Sequence, residues 1–115
     1  MRYRMKPEDH ARKAARLQDT IRRLDDRRDY EMVVETCYAA AVQLLACVAQ
    51  HRRGSHHDTH KGLARFLGDA DLPKLAELFQ ELESLRQSRF YGSQKDGHAA
   101  KRAREVLDEI AAKVP

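Results

Sequence analysis

The sequence has little of what loop-rich, disulfide-bonded or mainly β proteins depend on. Its 115 residues include no Trp, three Pro, five Gly and two Cys. So few turn-forming residues argue against a loop-rich fold, and two cysteines cannot supply a disulfide framework. β-branched residues are few beside abundant Ala, Leu, Glu, Arg and Lys. This mixture favours helix over strand.

Long apolar runs are also lacking. The longest, residues 37 to 42 and 44 to 49, are far too short to cross a bilayer, and no apolar run follows the basic N-terminal residues 1 to 6. Cys37 and Cys47 lie ten residues apart on different sides of one predicted helix, so they cannot pair and we expect buried free thiols. The sequence therefore predicts one cytoplasmic domain spanning residues 1–115, without a membrane segment.

The charge is mildly basic, with 22 Lys and Arg against 18 Asp and Glu and a net charge of +4. This balance permits phosphate binding but does not require it. Basic residues cluster at 22–23, 27–28, 52–53 and 101–104. Such clusters are either solvated helix faces or binding sites for polyanions, and the sequence leaves both open.

Apolar residues recurring at steps of three and four predict five helices. In chain order they run from 7 to about 25–28, from 29 to about 52, from 60 to 67, from 71–73 to 92, and from 98 to 113. Asp29 is the expected cap of the second helix, which is apolar over most of its circumference and should therefore be central. The predicted fold is all-α, an antiparallel four-helix bundle with an additional short helix.

A candidate binding site closes the fourth predicted helix. Arg86, Arg89, Phe90 and Tyr91 arrive together just before Gly92, which ends the helix. Arg86 neighbours both Arg89 and Phe90 on the helix surface. A cationic and aromatic helix end could bind a phosphate or a base. The alternative is that Phe90 packs in the core while the arginines are solvated.

Other kinds of chemistry have weaker signals. Residues 51–60 carry four of the six histidines, but their spacing matches no known zinc site, so we expect a solvent loop and no metal. No Gly-rich phosphate loop is present. The apolar surroundings of both cysteines make them poor nucleophiles. We therefore expect no cofactor.

Three segments, taken in order on five helices, resemble the HEPN (higher eukaryotes and prokaryotes nucleotide-binding) family. They are Tyr38-Ala39-Ala40-Ala41, Thr59-His60-Lys61-Gly62-Leu63, and Leu85-Arg86-Gln87 with Phe90-Tyr91-Gly92. The resemblance implies a helical homodimer whose motif, arginine and then histidine after four to six residues, forms a metal-independent ribonuclease centre. It also implies a toxin–antitoxin pairing with a minimal nucleotidyltransferase.

The chain departs from that motif at one position. Arg86 matches the arginine, but Tyr91 stands where histidine is expected, and the next histidine is His98. An ordinary tyrosine titrates near ~10, so it is a poor proton carrier at neutral pH. The resemblance thus implies Arg86 and Tyr91 as the candidate catalytic pair, and Arg86, Arg89, Tyr91 and Lys95 as the nucleic-acid-binding residues.

Three functions follow from the sequence. The favoured one is a homodimer that binds RNA or nucleotide at a cleft formed by both subunits, with a nucleotidyltransferase-like partner and weak or no nuclease activity. The second is an active endoribonuclease toxin, in which Tyr91 or His98 replaces the missing histidine. The third is a protein-interaction module in which the arginines pair with acidic residues.

Overall fold

The structure is a computed structural model that describes residues 6–53, 72–88 and 97–114, with the backbone alone at 50–53 and 88. These residues form four helices and no strand: α1 Pro7–Arg22, α2 Tyr30–Arg53, α3 Pro73–Ser88 and α4 His98–Lys113. The all-α bundle predicted from the sequence is confirmed. The predicted short helix at 60–67 and the helix end at Gly92 lie outside the described residues.

Helix α1 begins as predicted and ends sooner. Pro7 occupies the first turn, and the carboxylate of Asp9 accepts the backbone N–H of Lys6 at 3.1 Å. The predicted end at 25–28 was wrong, since the helix stops at Arg22. The cause is Asp25, whose Oδ1 accepts the amides of residues 27 and 28 and so turns the chain away from the helix.

Helix α2 is the centre of the bundle, as its apolar circumference predicted. It packs against α1, α3 and α4, and alanines on its surface let these neighbours approach closely. Cys37 and Cys47 are buried and free, which confirms their predicted state. Burial raises the pKa of the Cys37 thiol to about 12, so it is not a nucleophile at neutral pH.

The start of α2 differs from the simple cap that the sequence predicted. The carbonyl of Asp29 accepts the Val33 amide, which begins the helix, while Asp29 Oδ2 accepts the amide of Asp25 at 2.8 Å. The Asp29 carboxylate therefore braces the turn between α1 and α2.

By length and composition alone, residues Tyr30–Ala49 of α2 could cross a membrane, although the sequence contains no long unbroken apolar run. However, 72% of that apolar window is buried inside the bundle, as is usual for a core helix.

Helix α4 has the predicted bounds, and its start is fixed by a glycine. Gly97 has a φ of 84°, in the left-handed region that other residues rarely adopt. A Cβ built on Gly97 would lie 3.4 Å from Arg27 Cγ and from Asp26 Cβ and O. The N-terminus of α4 therefore fits closely against the α1–α2 turn.

A candidate binding groove

An open groove runs along one face of α2, between α1 and α3. These two helices both pack on α2 but do not contact each other, which leaves the groove between them. Its volume is about 550 Å³. The residues that line it are Lys13, Leu17, Glu35, Tyr38, Ala39, Val42, Gln43 and Arg86.

The floor of the groove is one stripe of α2, and it is closed at one end. Ala39, Val42 and Gln43 are half-buried, whereas Ala46 and Ala49, which continue the same face, are fully buried. The groove therefore stops after Gln43. From Glu35 to Gln43 is eight residues, or about 12 Å of helix.

Arg86 forms the α3 wall of the groove. Its Nε donates to Glu35 Oε1 at 2.7 Å, and its Nη1 lies 3.9 Å from Glu83. The guanidinium carbon is 4.7 Å from the centre of the Tyr38 ring, a cation–π arrangement. The hydrogen bond to Glu35 is the main cause that raises the pKa of Arg86. Arg86 is thus oriented by three side chains.

Tyr38 holds Arg86 in place and keeps its own proton. The ring stacks on Phe79 with centroids 5.5 Å apart and planes 19° apart. Burial, followed by the charge of Glu83 and a hydrogen bond to it, raises the pKa of Tyr38 to about 12. The phenol is therefore neutral at physiological pH and serves as a donor and a packing surface, not as a base.

The opposite wall and the closed end carry two further polar groups. Lys13, on α1, is exposed and has no carboxylate within salt-bridge distance in the part of the chain that the structure describes, whereas its neighbour Arg12 pairs with Asp9. At the closed end, Gln43 Oε1 lies 2.6 Å from Nδ1 of the fully buried His10. Because the amide oxygen can only accept, His10 donates and the Gln43 NH₂ group faces away from it.

Of the four residues predicted to bind nucleic acid, only Arg86 is among the described residues, and it lies in the groove. The described residues do not include Arg89, Tyr91 and Lys95, or the His-rich segment 54–60. Tyr38 was not among the predicted site residues, and neither were Glu35 and Gln43. A signal for these two existed, because they are polar interruptions in an otherwise apolar helix face.

Two arginines of the basic cluster at 101–104 serve the fold. Arg102 makes two hydrogen bonds to Glu81, at 2.5 and 2.8 Å. Arg104 donates to the backbone carbonyls of Ile21 and Leu24, at 2.9 and 2.7 Å, and to a carboxylate of the α1–α2 turn. We call these contacts of Arg102 and Arg104 the α4 seam. The two arginines are thus fully engaged within the bundle.

Among the described residues, no group of three His, Cys, Asp or Glu side chains is placed to hold a metal ion. Comparisons of the chain with protein-family models, curated proteins and solved structures found no match. A function must therefore be inferred from the chemistry of the groove. That chemistry is a pair of cations on opposite walls, an apolar floor and an amide at the closed end.

Proposed function

We propose that this chain is a HEPN-type helical domain that binds RNA or nucleotide. The observation that carries the proposal is the position of Arg86, the arginine that matches the family motif. It lies on the wall of an open groove, with its guanidinium held over the Tyr38 ring. Arginine held in this way is suited to phosphate, because its planar fork is already oriented. Lys13 on the facing wall adds a second cation.

Within this proposal, nuclease activity is weak or absent. Tyr91 replaces the motif histidine. Tyr38, the phenol of the groove, is protonated at neutral pH like any tyrosine, and its raised pKa makes it a still weaker proton donor. Loss of a positioned acid–base group typically lowers a rate by ~10²- to 10⁴-fold. Binding needs only cations and a surface, so it does not depend on these proton carriers.

The same proposal includes a homodimer in the cytoplasm. A two-fold axis would bring together two copies of Arg86, Arg89, Tyr91 and Lys95 and so enlarge a small site. A nucleotidyltransferase-like protein is the proposed partner. Light scattering that finds only monomer at high micromolar concentration would argue against the shared cleft.

The test is salt-dependent RNA binding by two matched variants. Arg86 and Arg102 each expose 37% of the side chain and each pair with a glutamate of a neighbouring helix. Arg86→Ala should weaken RNA binding and reduce the salt slope by about one per subunit, because one phosphate contact is lost. Arg102→Ala should leave both quantities unchanged. Equal losses in the two variants would indicate nonspecific charge and contradict the proposal.

An active endoribonuclease is the alternative for the same site. In that case wild-type protein cleaves RNA, and Arg86→Ala abolishes the cleavage. If Tyr91 merely replaces a histidine, Tyr91→His should raise cleavage by at least about tenfold, within the usual range of acid–base catalysis. A folded, dimeric Tyr91→His protein without any gain would count against a latent nuclease site.

A second candidate function is a protein-interaction module, and the ion pair of Arg86 with Glu35 favours it. In this case the arginine serves only to hold α3 against α2. RNA binding should then be undetectable at 50 mM salt, while Arg86→Ala lowers the melting temperature.

A further inference from the structure

We infer that the groove takes one nucleotide, such as a nucleoside monophosphate, with the phosphate between Lys13 and Arg86 and the base on the apolar floor toward Gln43. The inference rests on the proposed function and specifies its ligand. It assigns a role to Lys13 and Gln43, neither of which belongs to the family motif.

The shape of the groove indicates a compact ligand. A volume of about 550 Å³ is within the range of ~300–1,000 Å³ that is usual for small-molecule sites. The groove extends along about two turns of α2 and ends where the next residues of the same face, Ala46 and Ala49, are fully buried. A partner helix or an RNA duplex lying along α2 would run into this closed end. A single base with its sugar and phosphate would not.

The charges indicate an anion at the open end. Lys13 has no carboxylate partner among the described residues, so its ammonium is available to a ligand. Arg86 uses Nε for Glu35, and its Nη1 is 3.9 Å from Glu83, too far for a hydrogen bond. Part of its donor fork is thus left for an incoming oxygen. Two cations on facing walls suit a phosphate, which accepts from both.

The closed end indicates a flat group with hydrogen-bond acceptors. Ala39 and Val42 offer half-buried apolar surface that a ring can cover. The Gln43 NH₂ group has no hydrogen-bond partner in the described part of the chain, and His10 fixes its direction by binding the amide oxygen. Two fixed donors beside apolar surface suit a base, whose edge carries ring nitrogens and carbonyl oxygens.

The ion pair in the groove predicts that removal of one of its charges tightens nucleotide binding. Glu35 competes with a phosphate for Arg86, because both are anions that accept from its guanidinium. Glu35→Gln keeps the shape and removes the charge. It should therefore tighten nucleotide binding by at least about threefold, even if it lowers stability. A purely structural ion pair predicts no such gain.

The experiment is calorimetric or NMR titration of the full chain with AMP and UMP, beside adenosine and inorganic phosphate. The mononucleotides should bind at least about tenfold more tightly than either fragment, since they use both ends of the groove. Lys13→Ala and Gln43→Ala should each weaken binding at least about fivefold. Arg12→Ala is the matched control, because it removes the adjacent cation, which already pairs with Asp9 and lies outside the groove.

Three results would overturn the inference. In the first, phosphate alone binds as tightly as AMP, which leaves the floor without a role. In the second, Arg12→Ala weakens binding as much as Lys13→Ala, which indicates a general field. In the third, RNA binds in an Arg86-dependent manner while no mononucleotide binds at millimolar concentration. The third result would leave the proposed function standing, whereas the absence of binding to both RNA and mononucleotides would remove both. Tighter binding of a 5′-phosphorylated trinucleotide through Lys13 and Gln43 would support the inference and identify an RNA end as the source of the nucleotide.

Discussion

The groove and the α4 seam contain arginines that are equally exposed but differ in how many of their donors are used within the protein. Arg86 in the groove and Arg102 in the seam each expose 37% of the side chain and pair with a glutamate of another helix. In the seam, Arg102 forms a bidentate pair and Arg104 satisfies two backbone carbonyls. In the groove, Arg86 faces an open cavity and Lys13 has no carboxylate partner among the described residues.

This difference shows that a cluster of arginines in the sequence does not by itself reveal whether the arginines stabilise the fold or line a binding site. The seam arginines complete the bundle, since the last carbonyls of a helix need donors and Arg104 supplies them at the end of α1. Lys13 and Arg86, the cations of the groove, do not donate to the carbonyls at a helix end within the described part of the chain. Substitutions in the seam should therefore change stability, and substitutions in the groove should change binding.

The largest expected effect tests whether the groove is open. Leu45→Asp puts a charge at a fully buried position of α2 and should unfold the domain, because the cost is comparable with a total stability of ~5–15 kcal/mol. Val42→Asp, three residues earlier on the groove floor, should cost only about 1–2 kcal/mol, because its carboxylate reaches solvent. Urea unfolding followed by circular dichroism measures both. Unfolding by Val42→Asp would mean that the groove is covered.

The next effect compares the two regions directly. Arg104→Ala should destabilise the protein by about 2–3 kcal/mol, because it removes the donors to the carbonyls of Ile21 and Leu24 and a charged bond to Asp26. Arg86→Ala should cost about 1 kcal/mol or less, since its pair is more than one-third exposed. Thermal unfolding gives the two values. A reversed order would contradict the division between seam and groove.

A smaller effect is expected where α4 meets the α1–α2 turn. Gly97→Ala should cost about 1–2 kcal/mol, because φ is 84°, a backbone angle that alanine rarely adopts. Gly97→Asn is the informative control, since asparagine tolerates the left-handed region better than alanine. If the two variants were equally destabilised, the close approach would matter more than the backbone angle. Binding of AMP should be unchanged in both.

The last effect is absent at neutral pH and appears only at alkaline pH, on both sides of α2. Burial raises the pKa of Tyr38 in the groove and of Cys37, near the seam, each to about 12. A raised pKa favours the protonated form in the folded state. The stability that it contributes is therefore complete below the unfolded pKa, which is near ~10 for Tyr and ~8.5 for Cys, and is lost as the pH rises toward 12.

Substitution separates these two contributions. Tyr38→Phe should flatten the loss of stability between pH 10 and 12, and Cys37→Ala should flatten the loss that begins near pH 9. Chemical unfolding at a series of pH values gives the slopes. A slope unchanged by Tyr38→Phe would mean that the phenol is as well solvated in the folded protein as in the unfolded one.

Sequence patterns were sufficient to predict the all-α fold and one residue of the groove, Arg86. The bounds of α4 and the start of α1 follow from Pro7, Gly97 and the spacing of apolar residues, which act within a few residues of each other. The end of α1 was wrong because Asp25 forms side-chain bonds to the backbone that compete with helix. Arg86 could be singled out from its motif, but its partner Glu35 lies 51 residues away in the sequence.

The sequence by itself therefore determined the helices and the central position of α2. Periodicity, propensity and capping are local properties, and an apolar circumference has one stable place in a bundle. Only the tertiary structure decided which cations are engaged and which face a cavity. Arg86 meets Glu35, and Arg104 meets Asp26 across 78 residues, because the bundle brings these helices side by side. Such pairs join residues that are far apart along the chain, so they leave no signature in the local sequence.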